Sequence, residues 1–337
     1  MREPEFWYRP PSLMSLLLSP LGTLYGMITG RRMLRTGFDA GVPVLCVGNY
    51  HLGGAGKTPL VLALTKLLRD IGETPIVLSR GYGGKLRGPI LVDPLVHEAA
   101  DVGDEPLMLA GTVPVVVSRD RVDGVALARA RNASAILMDD GFQTPAIAKD
   151  ASLIVIDAER GLGNGKVFPA GPLRAPLRPQ LARTDALIVI GGGSAAAAVA
   201  DAVAAHGRPV LSAQIRPHEA SLATVRGKRV LAFAGIGDPG RFFRTLRNFG
   251  IEVARERAFP DHCPFSKDDI EGLIAEAKQD ALTLVTTEKD MVRLRSVEAQ
   301  QIVPFAITLE FEEPSRVRAF VADRLFQARA KKFRGSS

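Results

Sequence analysis

Short apolar runs rich in β-branched residues, separated by helical patterns, are the feature that most restricts how this chain can fold. Six runs lie in its first two thirds: VPVLCVG (42–48), PIVLS (75–79), VPVVVS (113–118), AILMD (135–139), SLIVID (152–157) and ALIVIG (186–191). Continuous apolar runs of this kind are typical of parallel strands that are buried on both faces. The alternation with helices therefore predicts an α/β fold, doubly wound around a parallel sheet.

A second, smaller block of the same type begins near residue 220. Its apolar runs at 229–237, 282–290 and 302–311 predict three more strands, and RFFRTLRNFG after the first of them predicts a helix. Alternation of strands and helices again favours an α/β unit. We therefore expect a larger α/β core followed by a smaller second α/β domain.

A glycine-rich turn follows the first predicted strand, within CVGNYHLGGAGKTPLVLAL (46–64). A buried strand, a turn with free backbone N–H groups and a helix N-terminus together suit a phosphate group. The pattern G-x-x-x-x-G-K-[ST] is met except at its first position, where His51 replaces glycine. The segment predicts a P-loop of the NTPase type, unless it is only a glycine turn with a solvated lysine. The residues expected to bind the nucleotide are Gly53, Gly54, Ala55, Gly56, Lys57, Thr58 and Pro59.

Two adjacent carboxylates, Asp139 and Asp140, stand at the end of the predicted strand AILMD and directly after it. Neighbouring side chains of an extended strand point to opposite sides, so one carboxylate can face a metal while the other supports it. Together with the Thr58 hydroxyl they predict a Mg²⁺ site beside the phosphates. Asp157, which ends another apolar run, is an alternative that the sequence leaves open.

The nucleotide is expected to be ATP rather than GTP. Guanine sites usually carry N-K-x-D or T-K-x-D. The nearest K-x-D spacings, at Lys267 and Lys278, follow Ser and Ala and lie in helical patterns. The related run TTEKD (286–290) lacks the spacer residue.

Polar residues in three further segments suggest an acceptor site. LSRGYGGK offers Arg80 and Tyr82, VGDEPLMLA offers Asp104, and AFPDHCPFS offers His262. A carboxylate beside an imidazole would orient the imidazole and help it to accept a proton, as a kinase needs near its acceptor hydroxyl. The plain alternatives are that Asp104 caps a helix and that His262 is a structural loop residue.

Composition narrows the cellular setting. The chain has 337 residues and a net charge of +7, which suits an anionic partner. Its two cysteines, Cys46 and Cys263, lie in unlike surroundings, so a disulfide framework is not expected and a reducing compartment is. No RNA- or DNA-binding motif accompanies the charge, so no nucleic-acid partner is expected.

The N-terminal segment is apolar from Leu13 to Ile28, with Pro20 in between, and is followed by three arginines at 31, 32 and 35. It is too short and interrupted to predict a spanning helix. A secretory signal would place its positive charge before the apolar run. We therefore expect a helix lying in a membrane interface, with Trp7 and Tyr8 at headgroup depth and the arginines on anionic lipid. The alternative is an ordinary first helix packed on the core.

Eight short motifs, taken in order, resemble the tetraacyldisaccharide 4'-kinase family of lipid A biosynthesis. They are VGNYHLGGAGKTP, LSRGYGGK, VGDEP, LMDDGFQ, VFPAGPLR, AFAGIGDPGRFF, FPDH and TTEKD. The resemblance extends from about Phe6 to Phe311, which is nearly the whole chain. Each motif alone is weak, but the ordered set is specific, and the family's phosphate loop also lacks the first glycine.

The resemblance implies an ATP-dependent kinase that phosphorylates the 4'-hydroxyl of an acylated glucosamine disaccharide 1-phosphate lipid and gives lipid IVA. It implies a peripheral enzyme on the cytoplasmic face of the inner membrane, in contact with an anionic membrane surface. No obligate protein partner is expected. It also implies an aspartate–histidine dyad at Asp104 and His262, and metal coordination by Thr58 with Asp139 and Asp140. We expect acceptor contacts from Arg80, Tyr82, Gln143 and Arg174.

The corresponding organisation has three segments: a membrane-associating N-terminal segment (1–35), a P-loop kinase core (36–219) and a smaller C-terminal α/β domain (220–337). Three residues depart from the family's usual pattern, namely Thr144, Ala175 and Cys263. None of them is assigned to phosphoryl transfer, but acceptor contacts near 144 and 175 are expected to differ. A rival hypothesis is a membrane-associated NTPase that acts as a switch or chaperone.

Overall fold

The computed structural model describes residues 3–10, 12–294 and 299–335, and its strands form two sheets. Nine strands of the described chain form the large sheet, in the order β13-β8-β7-β6-β1-β5-β2-β4-β3, and four form the small sheet, in the order β10-β9-β11-β12. In the large sheet only the edge pairs β13–β8 and β3–β4 are antiparallel. The strands are β1 Val44–Asn49, β2 Pro75–Ser79, β3 Ile90–Leu91, β4 Val115–Val117, β5 Ala135–Asp139, β6 Ala151–Asp157, β7 Ala186–Ile190, β8 Val210–Pro217, β9 Arg229–Ala234, β10 Glu252–Ala258, β11 Thr283–Thr287, β12 Val303–Phe305 and β13 Ile307–Phe311.

Helices connect these strands and cover the sheets. A 3₁₀ turn, Glu5–Tyr8, comes first. The α-helices are α1 Leu13–Leu17, α2 Ser19–Met33, α3 Lys57–Asp70, α4 Ala99–Val102, α5 Asp104–Ala110, α6 Arg121–Ala130, α7 Leu177–Ala182, α8 Ala197–Ala205, α9 Glu219–Val225, α10 Pro239–Asn248, α11 Lys267–Gln279, α12 Glu288–Met291 and α13 Pro314–Gly335.

The central strand β1 explains why the large sheet is covered on both faces. All six of its residues are buried. Leu45 and Val47 enter one hydrophobic cluster, which also contains apolar residues of α3, whereas Val44 and Cys46 enter a second cluster on the opposite face. Alternate side chains of a strand point to opposite faces, so a continuous apolar run requires cover on both. The predicted doubly wound α/β fold is confirmed.

The C-terminal part of the chain divides differently from the prediction. The run 302–311 is two strands: β12 pairs in the small sheet, whereas β13 pairs antiparallel with β8 in the large sheet. The following helix α13 places Val317 and Val321 in the same cluster as α3. The chain thus returns to the large sheet after Phe305, within the segment 220–337 that is predicted from the sequence as the second domain. We call residues 229–305 the small-sheet unit and the rest of the α/β fold the large-sheet unit.

The sequence pattern missed three strands, β3, β8 and β10, and for the two longer ones the physical reason is clear. In β10, EVARERA lies mostly exposed at the edge of the small sheet, so it carries no apolar run. In β8, VLSAQIRP is only half-buried and interleaves polar side chains. The predicted strand 282–290 also ends early, at Thr287, because the Thr287 hydroxyl accepts the Asp290 backbone N–H and caps α12.

The helix α2 attaches through three glycines together with buried Met33, and most of its large apolar side chains stay exposed. Gly22, Gly26 and Gly30 recur at one-turn spacing and are buried against the segment 167–179. A Cβ at Gly22 would lie 2.7 Å from the Val167 carbonyl oxygen, so the close approach requires glycine there. Pro20 lies in the first turn of α2, where its missing N–H costs little, so it starts this helix rather than breaking one.

The expected headgroup position of Trp7 and Tyr8 is wrong. Trp7 is buried, and its Nε1–H donates to the Pro169 carbonyl at 3.1 Å. The Tyr8 ring lies 4.2 Å from the Arg160 guanidinium carbon. Both aromatic rings therefore anchor the segment to the protein. In the part of the chain that the structure describes, no helix combines the length and the apolar character needed to cross a membrane.

Candidate functional site

The phosphate loop connects the buried end of β1 to the first turn of α3. Gly53 and Gly56 have φ values of +96° and +87°, which lie in the region that favours glycine. A Cβ at Gly56 would lie 2.7 Å from Ile190 Cδ1. The Asn49 side-chain N–H donates to the Gly53 carbonyl at 3.2 Å and holds the turn. The backbone thus has the strand, turn and helix start that the sequence predicts.

His51, which occupies the first glycine position of the P-loop pattern, helps to hold the loop in place. Its side chain is buried, and Nδ1 lies 2.8 Å from the Leu52 carbonyl oxygen. Its own carbonyl accepts the Arg174 Nε–H at 3.1 Å. Burial lowers the pKa of the imidazole to about 4, so His51 is neutral near pH 7. A neutral ring fills this position without adding charge to the loop.

Asp139 and Asp140 lie beside the loop in contrasting surroundings. Asp139 is buried and its Oδ1 has no hydrogen-bond partner among the described residues. Burial, reinforced by the charges of Glu105 and Asp140, raises the pKa of Asp139 to about 7. In Asp140 burial also acts to raise the pKa, but Lys57 and Arg174 outweigh it and the value falls to about 2. The Arg174 guanidinium donates to both Asp140 oxygens, at 2.9 and 3.0 Å.

This arrangement fits a magnesium ion held largely by nucleotide phosphates. Mg²⁺ usually takes one or two carboxylates together with phosphate oxygens and water. The unpartnered oxygen of buried Asp139 is a suitable ligand, and Thr58 lies at the start of α3. Within residues 3–10, 12–294 and 299–335 there is no group of three or more His, Cys, Asp or Glu side chains arranged for a metal. This finding agrees with a metal site that needs nucleotide phosphate oxygens as further ligands.

Asp157, the alternative strand-end carboxylate, is fully engaged by protein groups. One of its oxygens accepts the backbone N–H groups of Glu159 and Arg160, at 2.9 and 3.2 Å. Its other oxygen lies 2.7 Å from the Arg241 guanidinium. Of the two candidates for metal coordination, Asp139 is therefore the one with a free oxygen.

Removing the buried charge of Asp139 gives a stability prediction. In the metal-free protein, Asp139→Asn should raise Tm at about pH 8, and the gain should shrink as the pH falls toward 4. The folded pKa of about 7 exceeds the ordinary 3.8. The folded state therefore keeps the Asp139 proton up to a higher pH than the unfolded state does. The free-energy cost of ionising Asp139 in the folded protein grows as the pH rises from 3.8 to about 7 and is constant above that range. Each pKa unit corresponds to about 1.4 kcal/mol.

Thermal melts in EDTA at several pH values test this expectation. Asp201→Asn on α8 is the matched control, because Asp201 is exposed. A gain that is the same at low and high pH, or a loss of Tm at high pH, would contradict the assignment of a strained buried carboxylate.

The predicted Asp104 and His262 side chains meet, although they are 158 residues apart in sequence. His262 Nδ1 lies 2.9 Å from Asp104 Oδ2, and the contact joins the two units. The N-cap of α5 is Gly103, so Asp104 lies one residue past the capping position. Burial acts to raise the pKa of Asp104, but the hydrogen bond from His262 and the charge of Lys289 outweigh it and lower the pKa. Asp104 therefore remains an ionised partner for the imidazole.

His262 is held in an uncommon backbone conformation. Its φ is +58°, and its backbone N–H donates to the Gly235 carbonyl at 3.3 Å. A non-glycine residue in the left-handed region often marks a site where geometry is fixed for function. The Tyr82 ring meets the imidazole edge-on, with 5.5 Å between the ring centroids, and is 75% exposed. Tyr82 thus lies at the open side of the dyad.

The other predicted acceptor residues have different surroundings. Arg80 is exposed just after β2. Gln143 donates from Nε2 to the Asn49 carbonyl at 2.7 Å and to the Gln180 side chain at 3.0 Å, so it supports the phosphate loop. Arg174 is bound to Asp140 and to the same loop. Only Arg80 and Tyr82 of this set are open to solvent.

Two charged residues of the site were missed by sequence reasoning. Arg121 is buried and donates to the Leu78 and Asp139 carbonyls, at 3.0 and 3.2 Å, at the ends of two neighbouring strands. Lys289 lies 3.1 Å from Glu105 Oε1. For Lys289 the TTEKD motif was an available signal. For Arg121 no signal was present, since an arginine at a helix start looks exposed.

Comparison with known proteins identifies relatives that cover nearly the whole chain. The family model for tetraacyldisaccharide-1-P 4'-kinase matches residues 14–325. The chain is 65% identical to the tetraacyldisaccharide 4'-kinase of Bradyrhizobium diazoefficiens, over 99% of each chain. It is 64% identical to that of Nitrobacter winogradskyi, over 98% of this chain and 99% of the relative.

A solved structure is also similar. It is LpxK from Aquifex aeolicus in complex with ATP, which is 26% identical and superposes with a TM-score of 0.73. The similarity covers 93% of this chain and 100% of that one. The matched family model and the two relatives extend over both sheets, the phosphate loop and the Asp104–His262 contact. The chain belongs to the tetraacyldisaccharide-1-P 4'-kinase family.

Proposed function

We propose that this kinase transfers the γ-phosphoryl group of ATP to the 4'-hydroxyl of a tetraacylated glucosamine disaccharide 1-phosphate, giving lipid IVA. The observation that carries the proposal is the Asp104–His262 contact beside the phosphate loop. Glu105, the neighbour of Asp104, is close enough to Asp139 to raise its pKa. Because α5, which begins at Asp104, also packs against α3 of the phosphate loop, the nucleotide end and the proton-accepting end of the site lie on neighbouring elements, as phosphoryl transfer requires.

The residues take separate roles in this reaction. Backbone N–H groups from Gly53 to Thr58, together with the Lys57 ammonium, bind the phosphates. Nδ1–H of His262 donates to Asp104, so Nε2 is the nitrogen left to accept the proton of the acceptor hydroxyl. Asp104 orients the ring and stabilises its protonated form. Mg²⁺, when bound by Asp139 and Thr58, would neutralise charge on the phosphate oxygens.

Asp140 and the acceptor residues complete the assignment. The paired contacts of Asp140 with Arg174 and Lys57 support a role in positioning Lys57, which lies 3.7 Å from it. Exposed Arg80 and Tyr82 are placed to meet the disaccharide. Gln143 and Arg174 hold the phosphate loop through the Asn49 and His51 carbonyls, and they act on the acceptor through that loop.

The exposed face of α1 and α2 supports docking on a membrane. Ten large apolar side chains between 40% and 74% exposed lie on this segment: Leu13, Met14, Leu16, Leu17, Leu21, Leu24, Tyr25, Met27, Ile28 and Leu34. Such a patch is large for a soluble surface. Arg31, Arg32 and Arg35 at its end are exposed as well. We place the enzyme peripherally on the cytoplasmic face of the inner membrane, where its acylated substrate is embedded.

Removing three exposed leucines should weaken membrane binding and leave the fold intact. Leu17, Leu21 and Leu24 are 67%, 58% and 54% exposed. Changing all three to serine should reduce binding to vesicles of anionic phospholipid at least about tenfold. One buried leucine is worth roughly 1.5–3 kcal/mol, and about 1.4 kcal/mol is a tenfold change. Vesicle co-sedimentation measures the effect, and nucleotide affinity should stay constant.

Leu95→Ser is the control for that experiment, because Leu95 is 95% exposed and lies in the turn between β3 and α4, which is not part of the N-terminal helices. It should bind vesicles as the wild type does. Deletion of residues 1–35 is a poorer test, because it would also remove buried Trp7 and Met33. Undiminished sedimentation of the triple variant would reject this surface as the membrane contact.

Product mapping tests the proposed reaction. Purified protein is incubated with Mg²⁺, γ-labelled ATP and the disaccharide 1-phosphate lipid, and the labelled lipid is analysed for the position of the new phosphate. We expect one label per lipid on the 4'-oxygen. Release of labelled inorganic phosphate without labelled lipid, and stimulation by another protein, would favour the switch hypothesis instead.

A further inference from the structure

Lys289 joins the two units at the dyad. It lies on the one-turn helix α12, inside the TTEKD motif. The roles assigned above in phosphate binding and proton transfer do not use this motif. Its ammonium is 3.1 Å from Glu105 Oε1 and 3.8 Å from Asp104 Oδ2, both at the start of α5 in the large-sheet unit. Its side chain is only 18% exposed, which is low for lysine. The contacts are therefore specific and largely shielded from solvent.

The same short helix also fixes the loop that carries His262. Asp290, next to Lys289, is fully buried and accepts the Gly235 backbone N–H. Arg293 donates to the Gly235 carbonyl at 2.8 Å and to the Cys263 carbonyl at 2.9 Å. The segment 289–293 thus holds the backbone around His262 and also contacts Asp104, the hydrogen-bond partner of the His262 imidazole.

Charge balance explains why a cation is placed there. Asp104, Glu105 and Asp261 bring three carboxylates together, and Lys289 lies within 3.8 Å of an oxygen of each. Burial acts to lower the pKa of Lys289, but the three carboxylates outweigh it and raise the pKa, so the ammonium stays charged. Without this charge the carboxylates would repel one another across the boundary between the units.

We propose that Lys289 is a positioning residue for phosphoryl transfer, whose ammonium binds Asp104 and Glu105 and so brings the small-sheet unit, with His262, against the large-sheet unit. The inference rests on the proposed dyad. Lys289 itself does not touch the phosphates or the acceptor in this assignment. It acts by setting the distance between Asp104 and His262.

Lys289→Met tests the role by removing the charge and keeping most of the volume. We expect kcat to fall roughly 10²-fold, the effect of displacing a catalytic group by about 1 Å. The KM for ATP should change little, because the carboxylates that Lys289 contacts, Asp104, Glu105 and Asp261, lie outside the phosphate loop. Lys289→Arg, which keeps a cation able to pair with both carboxylates, should recover most of the rate. In the His262→Ala background, Lys289→Met should add little further loss, since both act through one pair.

Lys267→Met is the matched control, because Lys267 is an exposed lysine on α11 of the same unit. Its kinetics should match those of the wild type. A wild-type rate for Lys289→Met, failure of Lys289→Arg to recover the rate, or an undiminished effect in the His262→Ala background would overturn the proposal. If His262→Ala itself retained the full rate, the dyad would be rejected and this inference with it. If kcat fell in His262→Ala but not in Lys289→Met, the positioning role of Lys289 would be rejected and the dyad would stand.

Discussion

Replacing Lys57 with alanine should lower kcat roughly 10³-fold while the protein stays folded. Loss of one fixed donor to developing charge costs about 10²- to 10³-fold, and Lys57 is the mobile cation of the phosphate loop. Its ammonium lies 3.7 Å from Asp140 Oδ1, and its side chain is only 12% exposed. No other side chain of the loop carries a positive charge. Steady-state kinetics with saturating ATP measure the loss.

Lys66→Ala provides the control for Lys57→Ala. Lys66 lies on the same helix, α3, but its side chain is 80% exposed and pairs with Asp70 in the next turn. It should keep the wild-type rate and Tm. Activity of Lys57→Ala within a few-fold of the wild type would refute the phosphate-loop assignment.

Loss of either member of the dyad is the second large effect. Asp104→Ala and His262→Ala should each reduce kcat by about 10²- to 10⁴-fold, the usual contribution of a positioned general base. The KM for ATP should change little, because neither residue belongs to the phosphate loop. The physical reason is the 2.9 Å contact, which fixes the ring and leaves Nε2 for the acceptor proton.

A purely structural role for these residues predicts a different pattern. Each substitution would then act through stability, at a cost of the order of 1 kcal/mol for a lost hydrogen bond. Rates measured well below Tm would be nearly normal. His206→Ala is a suitable control, because His206 is exposed at the end of α8 and its ring bonds to a carbonyl of its own helix. A decline in rate that parallels the decline in Tm across the variants would contradict the catalytic assignment.

The central strands could be predicted from sequence because burial on both faces leaves a continuous apolar run. PIVLS and AILMD match β2 and β5 residue for residue. The same logic failed at 302–311, where one apolar run serves two sheets and only Ala306 separates the strands. Apolar character reports burial, but it does not report which sheet buries a residue.

The local part of the site was predictable for a similar reason. A phosphate loop is formed by residues adjacent in the chain, so glycine spacing and Lys57 suffice to predict it. The Asp104–His262 pair depends on tertiary structure, so the residues alone only suggested it beside plainer alternatives, and the family resemblance then implied it. The role of Lys289 escaped because Glu105, the carboxylate nearest to its ammonium, lies 184 residues away in sequence. The buried Trp7 misled the prediction because an aromatic residue beside an amphipathic segment is equally typical of a membrane interface.

The coupling between Asp104 and His262 is the most direct test of the account, and kcat of the double variant Asp104→Ala/His262→Ala measures it. If the two side chains act as one unit, the double variant should be scarcely slower than the slower single variant. If they act independently, the two losses should multiply, to roughly 10⁴-fold or more from the single-variant range. We predict the first result, and full multiplication of the losses would contradict the proposed dyad.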